Sequence, residues 1–224
     1  MPAALQTVAD PQRWRLLTEL AHSDRRVGEL TAALDAPQNL VSYHLRELRN
    51  AGLVSSRRSS YDGRDAYYRV DLARCADVLT AAAAALGVVP PTPTRRRGRR
   101  QKVLFLCTGN SARSPMAEAL LRAQSAGAID ARSAGSTPKP LHPLAVQVMS
   151  ERGIDISRHK SKHFDTFVTT SFDCVITLCD KVREVCPDYP NAIHWSTPEP
   201  VTYDEFVAVA DDLELRIKQG VTHG

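Results

Sequence analysis

The 224-residue sequence has no apolar run near the ~20 residues that a membrane-spanning helix requires. Its start, MPAALQTVADPQRWRLL, has no basic segment followed by an apolar block, so no secretory signal is expected and the chain is expected in the cytoplasm, with no membrane partner. Cysteine is scarce, five in all, and in a reducing compartment such a set makes a poor disulfide framework. Each thiol is therefore read as chemistry or as packing. No internal repeat is present. The length suits one large domain or two small ones, each able to bury its own core.

What is present is unevenly spread. Residues 1–87 carry eleven Arg against ten Asp and Glu, and residues 103–224 carry a net charge of −3. Residues 88–102 hold five Arg and one Lys with no acid. That stretch, VVPPTPTRRRGRRQK, pairs closely spaced prolines with an arginine cluster and cannot form a core. It is read as a solvated tether whose charge also suits nucleic-acid phosphates. The expected division is a first domain over 1–87, a linker over 88–101 and a second domain over 102–224.

Asp10-Pro11 is a helix start, with Asp as cap and Pro at the first helical position. Trp14, Leu17, Leu20 and Ala21 follow at helical spacing and are expected inward. A short helix fits Val27 to Leu34, and after Asp35-Ala36-Pro37 a third runs from Gln38 to about Ala51, with Leu40, Val41, Leu45 and Leu48 inward. Two short helices joined by a tight turn make a helix-turn-helix. The stretch LVSSRRSSYDGRDAYYRV has two extended arms around Asp62-Gly63, a hairpin turn signal. Its Arg57, Arg58 and Arg64 suit phosphate or minor-groove contact, which makes the hairpin a wing. The Ala-rich helix LARCADVLTAAAAALG then suits packing against a partner.

VGELTAALDAPQNLVSYHLRELRNAGLVSSRR resembles the ArsR/SmtB-type winged-helix repressors, and the resemblance covers residues 11 to 87. It implies a homodimer, paired through its first and last helices, that binds a duplex DNA operator. Gln38, Asn39, Ser42, Tyr43 and His44 lie at the start of the third helix and would face base edges. Arsenic sensors of that family carry a cysteine pair before the recognition turn, where this chain has GELTAALDAP, so the usual inducer site is absent. Cys75 is expected to be a small buried hydrophobe rather than a ligand.

The stretch VLFLCTGNSARSPMAEAL raises a sharper question, because Val103–Leu106 reads as a buried strand and Cys107 stands where it should end. Ser114-Pro115 then starts a helix, with Ser114 as its cap. A loop that aims its amides at a helix N-terminus cradles a tetrahedral oxyanion, and the same field favours thiolate over thiol. Thr108, Gly109, Asn110, Ser111 and Ala112 would supply the cradle, Arg113 a planar fork for two oxygens, and Ser114 a hydrogen bond to the sulfur of Cys107.

CTGNSARSPMAEA closely resembles the low-molecular-weight tyrosine phosphatase fold, which thioredoxin-coupled arsenate reductases share. RSAG at 132–135, HPLAVQVMSERGIDISRHKSKHFD at 142–165 and DCVITLCD at 173–180 extend the match to about residue 219. The resemblance implies an α/β domain with a four-stranded parallel sheet that binds arsenate or phosphate. Many relatives have a cysteine where this chain has Ala112. Phosphatases of the fold use a late Asp-Pro as general acid, usually followed by tyrosines; here Glu199-Pro200 takes that place and no tyrosine pair follows. Cys179 and Cys186 stand seven apart, the spacing of the thioredoxin-coupled reductases. The resemblance thus implies a Cys107–Cys179–Cys186 thiol relay, thioredoxin as external reductant and no tightly bound cofactor. It also implies a monovalent-cation site, which would use Asn110, Glu118, Ser133 and Asp165. Cys174, His142, His159 and His194 are expected to be structural. Two rivals stay open: a protein-tyrosine phosphatase tethered to a DNA-binding domain, and a non-enzymatic metalloid-responsive repressor.

Overall fold

The computed structural model describes residues 3–88, 101–185, 189 and 192–221. The chain divides into two compact units, Met1–Arg95 and Arg96–Gly224, each with its own core. Most of the expected linker, residues 89–100, lies outside the described residues.

The first unit runs α1 (Ala3–Val8), α2 (Pro11–His22), β1 (Arg25–Arg26), α3 (Val27–Leu34), α4 (Gln38–Asn50), β2 (Val54–Arg58), β3 (Ala66–Val70) and α5 (Leu72–Ala85). Asp10 caps α2 as expected, its Oδ1 accepting from the amides of Gln12 at 2.9 Å and Arg13 at 3.0 Å. Asp35 takes a left-handed φ of 49° and closes α3 into the tight turn before α4. The antiparallel sheet has the order β1-β3-β2. The two-residue β1, paired with Tyr67 and Tyr68, was too short to leave a periodic signal.

Several inward assignments need correction. On α2 the buried stripe is Leu16, Leu17 and Leu20, while Trp14 is 49% exposed and Ala21 is also exposed. At about 100° per residue, Trp14 lies roughly 200° around the helix from Leu16. On α4, Val41, His44, Leu45 and Leu48 fill the inward stripe, and Leu40 is 39% exposed. The wing turn is longer than a two-residue hairpin, spanning residues 59–65 between the strands. Ser59 Oγ organises it by accepting from the amides of Tyr61 and Asp62. No side chain of α5 is buried within this unit.

The second unit contains β4 (Lys102–Cys107), α6 (Arg113–Gln124), β5 (Asp130–Gly135), α7 (Pro143–Glu151), β6 (Cys174–Thr177), α8 (Asp180–Val185), β7 (Ile193–His194) and α9 (Tyr203–Arg216). All four strands are parallel, in the order β5-β4-β6-β7. Val103, Leu104, Phe105 and Leu106 on β4 are fully buried, as expected of a central parallel strand. α6 packs on β4 and β5 and against α9, while α8 packs on β4 and β6. The chain leaves β4 towards β5 on one side and later places β6 on the other. The crevice at the carboxyl end of β4 is thus a topological switch point, where open α/β sheets bind ligands. Cys107 is the last residue of that strand.

Candidate active site

The loop after Cys107 is shaped from outside. The carbonyls of Cys107, Thr108, Gly109 and Ser111 accept from the amides of Ser136, Thr137, Lys139 and His142, and the carbonyl of Asn110 accepts from Ser161 Oγ at 2.7 Å. Across a trans peptide the C=O and the next N–H point opposite ways. Tethering five successive carbonyls outward therefore turns the amides of residues 108–112 to the opposite side of the loop. Asn110 makes the sharpest bend, with φ of 46° in the left-handed region. Gly135 makes room for it: a Cβ there would stand 2.6 Å from the carbonyl oxygen of Thr108 and 2.8 Å from the amide nitrogen of Asn110.

α6 starts earlier than expected, at Arg113, with Ala112 at its cap position. Ser114 is thus not the cap. Its hydroxyl turns inward, 3.0 Å from Cys107 Sγ, and accepts from Asn110 Nδ2 at 3.0 Å. The guanidinium of Arg113 is buried beside the loop, donating from Nη1 to the carbonyl of Thr197 at 3.0 Å. Glu199, largely exposed, brings Oε2 within 3.5 Å of Arg113 Nη2. The Glu199 carboxylate thus stands against the free side of that fork.

Cys179 follows the end of β6, the strand next to β4, and its sulfur lies 3.2 Å from Thr108 Oγ1. Burial pushes its thiol up from the ordinary range, while the Arg113 guanidinium opposes the shift. Cys186 lies outside the described residues. Cys75 and Cys174 are half-buried thiols pushed up to about 11 by burial, as packing residues should be. His142 caps α7 and stacks on Phe206, while His194 is buried with Nε2 3.1 Å from Asp180 Oδ1, which also accepts from Ser196 Oγ.

Three of the four residues expected at a cation site come together, but not as ligands. The Lys162 amide donates to Asn110 Oδ1 at 2.9 Å, which turns the Asn110 amino group towards Ser133 and Ser114. Ser133 donates to Glu118 Oε2 at 2.6 Å, and Arg122 Nη2 stands 2.9 Å from Glu118 Oε1. Asp165 is exposed and pairs with His163 Nδ1 at 3.0 Å. An alkali ion needs converging oxygen acceptors, and this set presents donors and an already compensated carboxylate. The set does not fit such an ion.

In the first unit, Gln38, Asn39, Ser42 and Tyr43 form an exposed face of α4, as expected. His44 does not belong to it. That side chain is buried, with Nδ1 3.9 Å from Asp10 Oδ1, because it occupies the inward stripe between Val41 and Leu48. Arg46 takes its place on the outer face, its guanidinium 5.6 Å over the Tyr43 ring. Arg58 and Arg64 are exposed on the wing and Arg57 is partly so; Arg64 pairs with Asp62 at 2.7 Å.

Residues 102–222 match the family model described as low molecular weight phosphotyrosine protein phosphatase. The chain belongs to the low molecular weight phosphotyrosine protein phosphatase family. Residues 10–56 match a second model, bacterial regulatory protein of the arsR family, so an arsR-type helix-turn-helix precedes the phosphatase-family domain. An arsenate reductase of Brevibacillus brevis is 38% identical over 125 residues, covering 54% of this chain and 93% of that protein. One of Bacillus cereus is 37% identical over 125 residues, with the same shares. A solved arsenate reductase in a phosphate binding state is 32% identical, with a TM-score of 0.49 over 53% of this chain and 94% of its own. Among the described residues no helix is long and apolar enough to cross a membrane.

For this family member, sequence reasoning missed the segment 136–142 that holds the loop carbonyls, and the parts played by Gly135 and Arg122. The run S-T-P-K-P-L-H carried a signal, since prolines flanking Lys139 stiffen a segment that has no helix or strand of its own. Arg46 could also have been found, lying one helical turn beyond Ser42 on the same face.

Proposed function

We propose that this chain is a cytoplasmic arsenate reductase fused to a DNA-binding regulator, and that it reduces arsenate to arsenite through Cys107, Cys179 and Cys186. The observation that carries the reading is the placement of Cys179 against Thr108, the residue after Cys107. A phosphatase needs no second thiol there, whereas a two-electron reduction does.

Arsenate binds the amides of residues 108–112 and the fork of Arg113. The Cys107 thiolate attacks arsenic and an arsenic-bound oxygen leaves as water, with Glu199 the proton donor. Cys179 thiolate then attacks Cys107 Sγ. The electron pair of the sulfur–arsenic bond stays on arsenic, so arsenite leaves and a Cys107–Cys179 disulfide remains. Cys186 attacks Cys179 Sγ, frees Cys107 as thiolate and moves the disulfide to Cys179–Cys186, which the dithiol of thioredoxin reduces.

The first unit binds operator DNA as a homodimer, with α4 in the major groove and the wing on phosphates. The exposed Leu79 on α5, a helix with no fully buried side chain in its own unit, supports pairing through that helix. The test is arsenate-dependent NADPH oxidation by the full chain with thioredoxin and thioredoxin reductase. Turnover that needs all three cysteines supports the reading. Aryl phosphate hydrolysis without arsenate turnover would replace it with the phosphatase reading.

A further inference from the structure

We infer that Arg122 is a built-in cation of the anion loop: its guanidinium holds Glu118, and through Glu118, Ser133, Asn110 and Ser114 it positions the sulfur of Cys107. The inference rests on Cys107 being the nucleophile of the site just described. It makes Arg122 and Glu118 positioning residues.

The direction of each hydrogen bond follows from one fixed point. The Lys162 amide can only donate, so it claims Asn110 Oδ1, which His159 Nε2 also approaches at 3.3 Å. Asn110 Nδ2 therefore faces inward and spends one hydrogen on Ser114 Oγ at 3.0 Å and the other on Ser133 Oγ at 2.9 Å. Each hydroxyl, having accepted, has one proton left to give. Ser133 gives it to Glu118 Oε2 at 2.6 Å. Ser114 has two acceptors in reach, the carbonyl of Ala134 at 3.4 Å and Cys107 Sγ at 3.0 Å, and the nearer sulfur takes the proton when it is a thiolate. Chains of this kind polarise one another, so the state of Glu118 is felt at the sulfur.

The chain of bonds ends on the carboxylate of Glu118, which is buried. A buried carboxylate is costly unless a counter-charge stands beside it. The counter-charge is on the same helix face, one turn on: Arg122 Nη2 lies 2.9 Å from Glu118 Oε1. Arg122 is pinned, since Nε and Nη2 both donate to the carbonyl of Ala131, at 3.1 and 2.9 Å. Ala131 lies on β5, the strand that carries Ser133. More positive charge surrounds the pair. Burial pulls the Lys162 ammonium down, Glu118 opposes this, and Arg122 and Arg132 add to it. His159, lowered by burial and by Lys162, is the remaining titratable group facing Asn110. An alkali ion would have to enter against these charges and take oxygens that already have partners.

The test uses the full chain without arsenate, so that a failed reductase reading leaves its result standing. Site-resolved alkylation of Cys107 by iodoacetamide, followed by peptide mass spectrometry at fixed pH, is compared in potassium, sodium and choline chloride. The wild type is expected to react alike in all three. Arg122→Met is expected to slow Cys107 about tenfold, the equivalent of one charge-assisted hydrogen bond. Millimolar guanidinium or Arg122→Lys should restore the rate, because Arg122 is solvent-accessible enough for a small cation to replace it. If Arg122→Met fails to fold, Glu118→Gln/Arg122→Met removes both charges; it is expected to fold and to ignore guanidinium. A wild type whose Cys107 reacts faster in potassium than in choline overturns the inference. So does Arg122→Met, or the double variant, with wild-type Cys107 reactivity, since the pair would then be only a surface contact on α6.

Discussion

The sulfur of Cys179 lies 3.2 Å from the hydroxyl of Thr108, the residue that directly follows Cys107. Two thiols from neighbouring parallel strands thus reach the same end of the sheet, one at the base of an anion loop and the other against its first residue. Burial raises the Cys179 thiol, and the Thr108 hydroxyl and Arg113 act in the opposite sense.

A pH dependence follows. A thiol raised above its ordinary range is mostly protonated at neutral pH, and its thiolate fraction grows about tenfold per pH unit until the pKa is reached. Single-turnover release of arsenite is therefore expected to accelerate from pH 6 to pH 9, because Cys179 must attack as thiolate. Hydrolysis of a small aryl phosphate, which does not use Cys179, should lack that rise. Thr108→Val should slow arsenite release further. Rapid-quench measurement at several pH values checks this, and a flat profile for arsenite release would contradict it.

The anion loop gives a second expectation. Cys107→Ser should abolish both arsenate reduction and aryl phosphate hydrolysis, whereas Cys179→Ser should stop arsenite release and spare the hydrolysis. Arg113→Lys loses the planar fork and should lower kcat/KM for either substrate by about a hundredfold or more. Steady-state kinetics on both substrates separate these outcomes. Loss of aryl phosphate hydrolysis in Cys179→Ser would mean that this thiol supports the loop itself.

DNA binding divides the residues of the first unit by role. Replacing Arg57 and Arg58 should weaken binding to all sequences and flatten its salt dependence, because phosphate contacts release counterions. Replacing Ser42, Tyr43 or Arg46 should change sequence preference. His44→Ala should lower stability without altering preference, since His44 is buried on the inner face of α4. Arsenite should not release DNA from the full chain once Cys107, Cys179 and Cys186 are all serine. Mobility shifts across a salt series and with arsenite test the set, and release of that triple variant by micromolar arsenite would contradict it.

Asp10 links the first unit to pH. The backbone amide of Arg13 is the chief reason its carboxyl sits below the ordinary range, and the amide of Gln12 helps. A depressed carboxyl contributes stability above its unfolded pKa, and loses it as pH falls through the folded one. Asp10→Ala is expected to cost about 1 kcal/mol near neutral pH, as N-cap removal does. The gap to wild type should close in acid, below about pH 4. Denaturant unfolding at the two pH values measures it, and a gap that widens in acid would contradict the assignment.

How much of this was legible in the sequence follows from the range of each interaction. The strand ending at Cys107, the loop and the Asp10 cap are encoded by consecutive residues, so local rules find them. The four-stranded parallel sheet and the meeting of Cys107 with Cys179 came from resemblance, since residues 72 apart carry no local pattern that joins them, and the strand order came only from the structure. Ser114 was misread as a cap because a serine before a proline is a strong cap signal. The contact with Cys107 was expected, but only the fold reveals that Asn110 also claims its hydroxyl. His44 was assigned to the outer face by its proximity to Ser42 and Tyr43, although its three-residue spacing from Val41 already placed it on the inner stripe. The outward tethering of five loop carbonyls depends on residues 136–142 and 161; the prolines around Lys139 signal a stiff segment, but nothing local says what it holds.

Exposure of Cys186→Ser to arsenate for one turnover, followed by non-reducing peptide mass spectrometry, tests the thiol relay most directly. The second exchange is blocked in that variant, so the disulfide should stop where the first exchange leaves it. The expected result is a Cys107–Cys179 linkage in proportion to the arsenite released. Arsenate consumption with no such linkage, or a linkage formed equally well without arsenate, would contradict the relay.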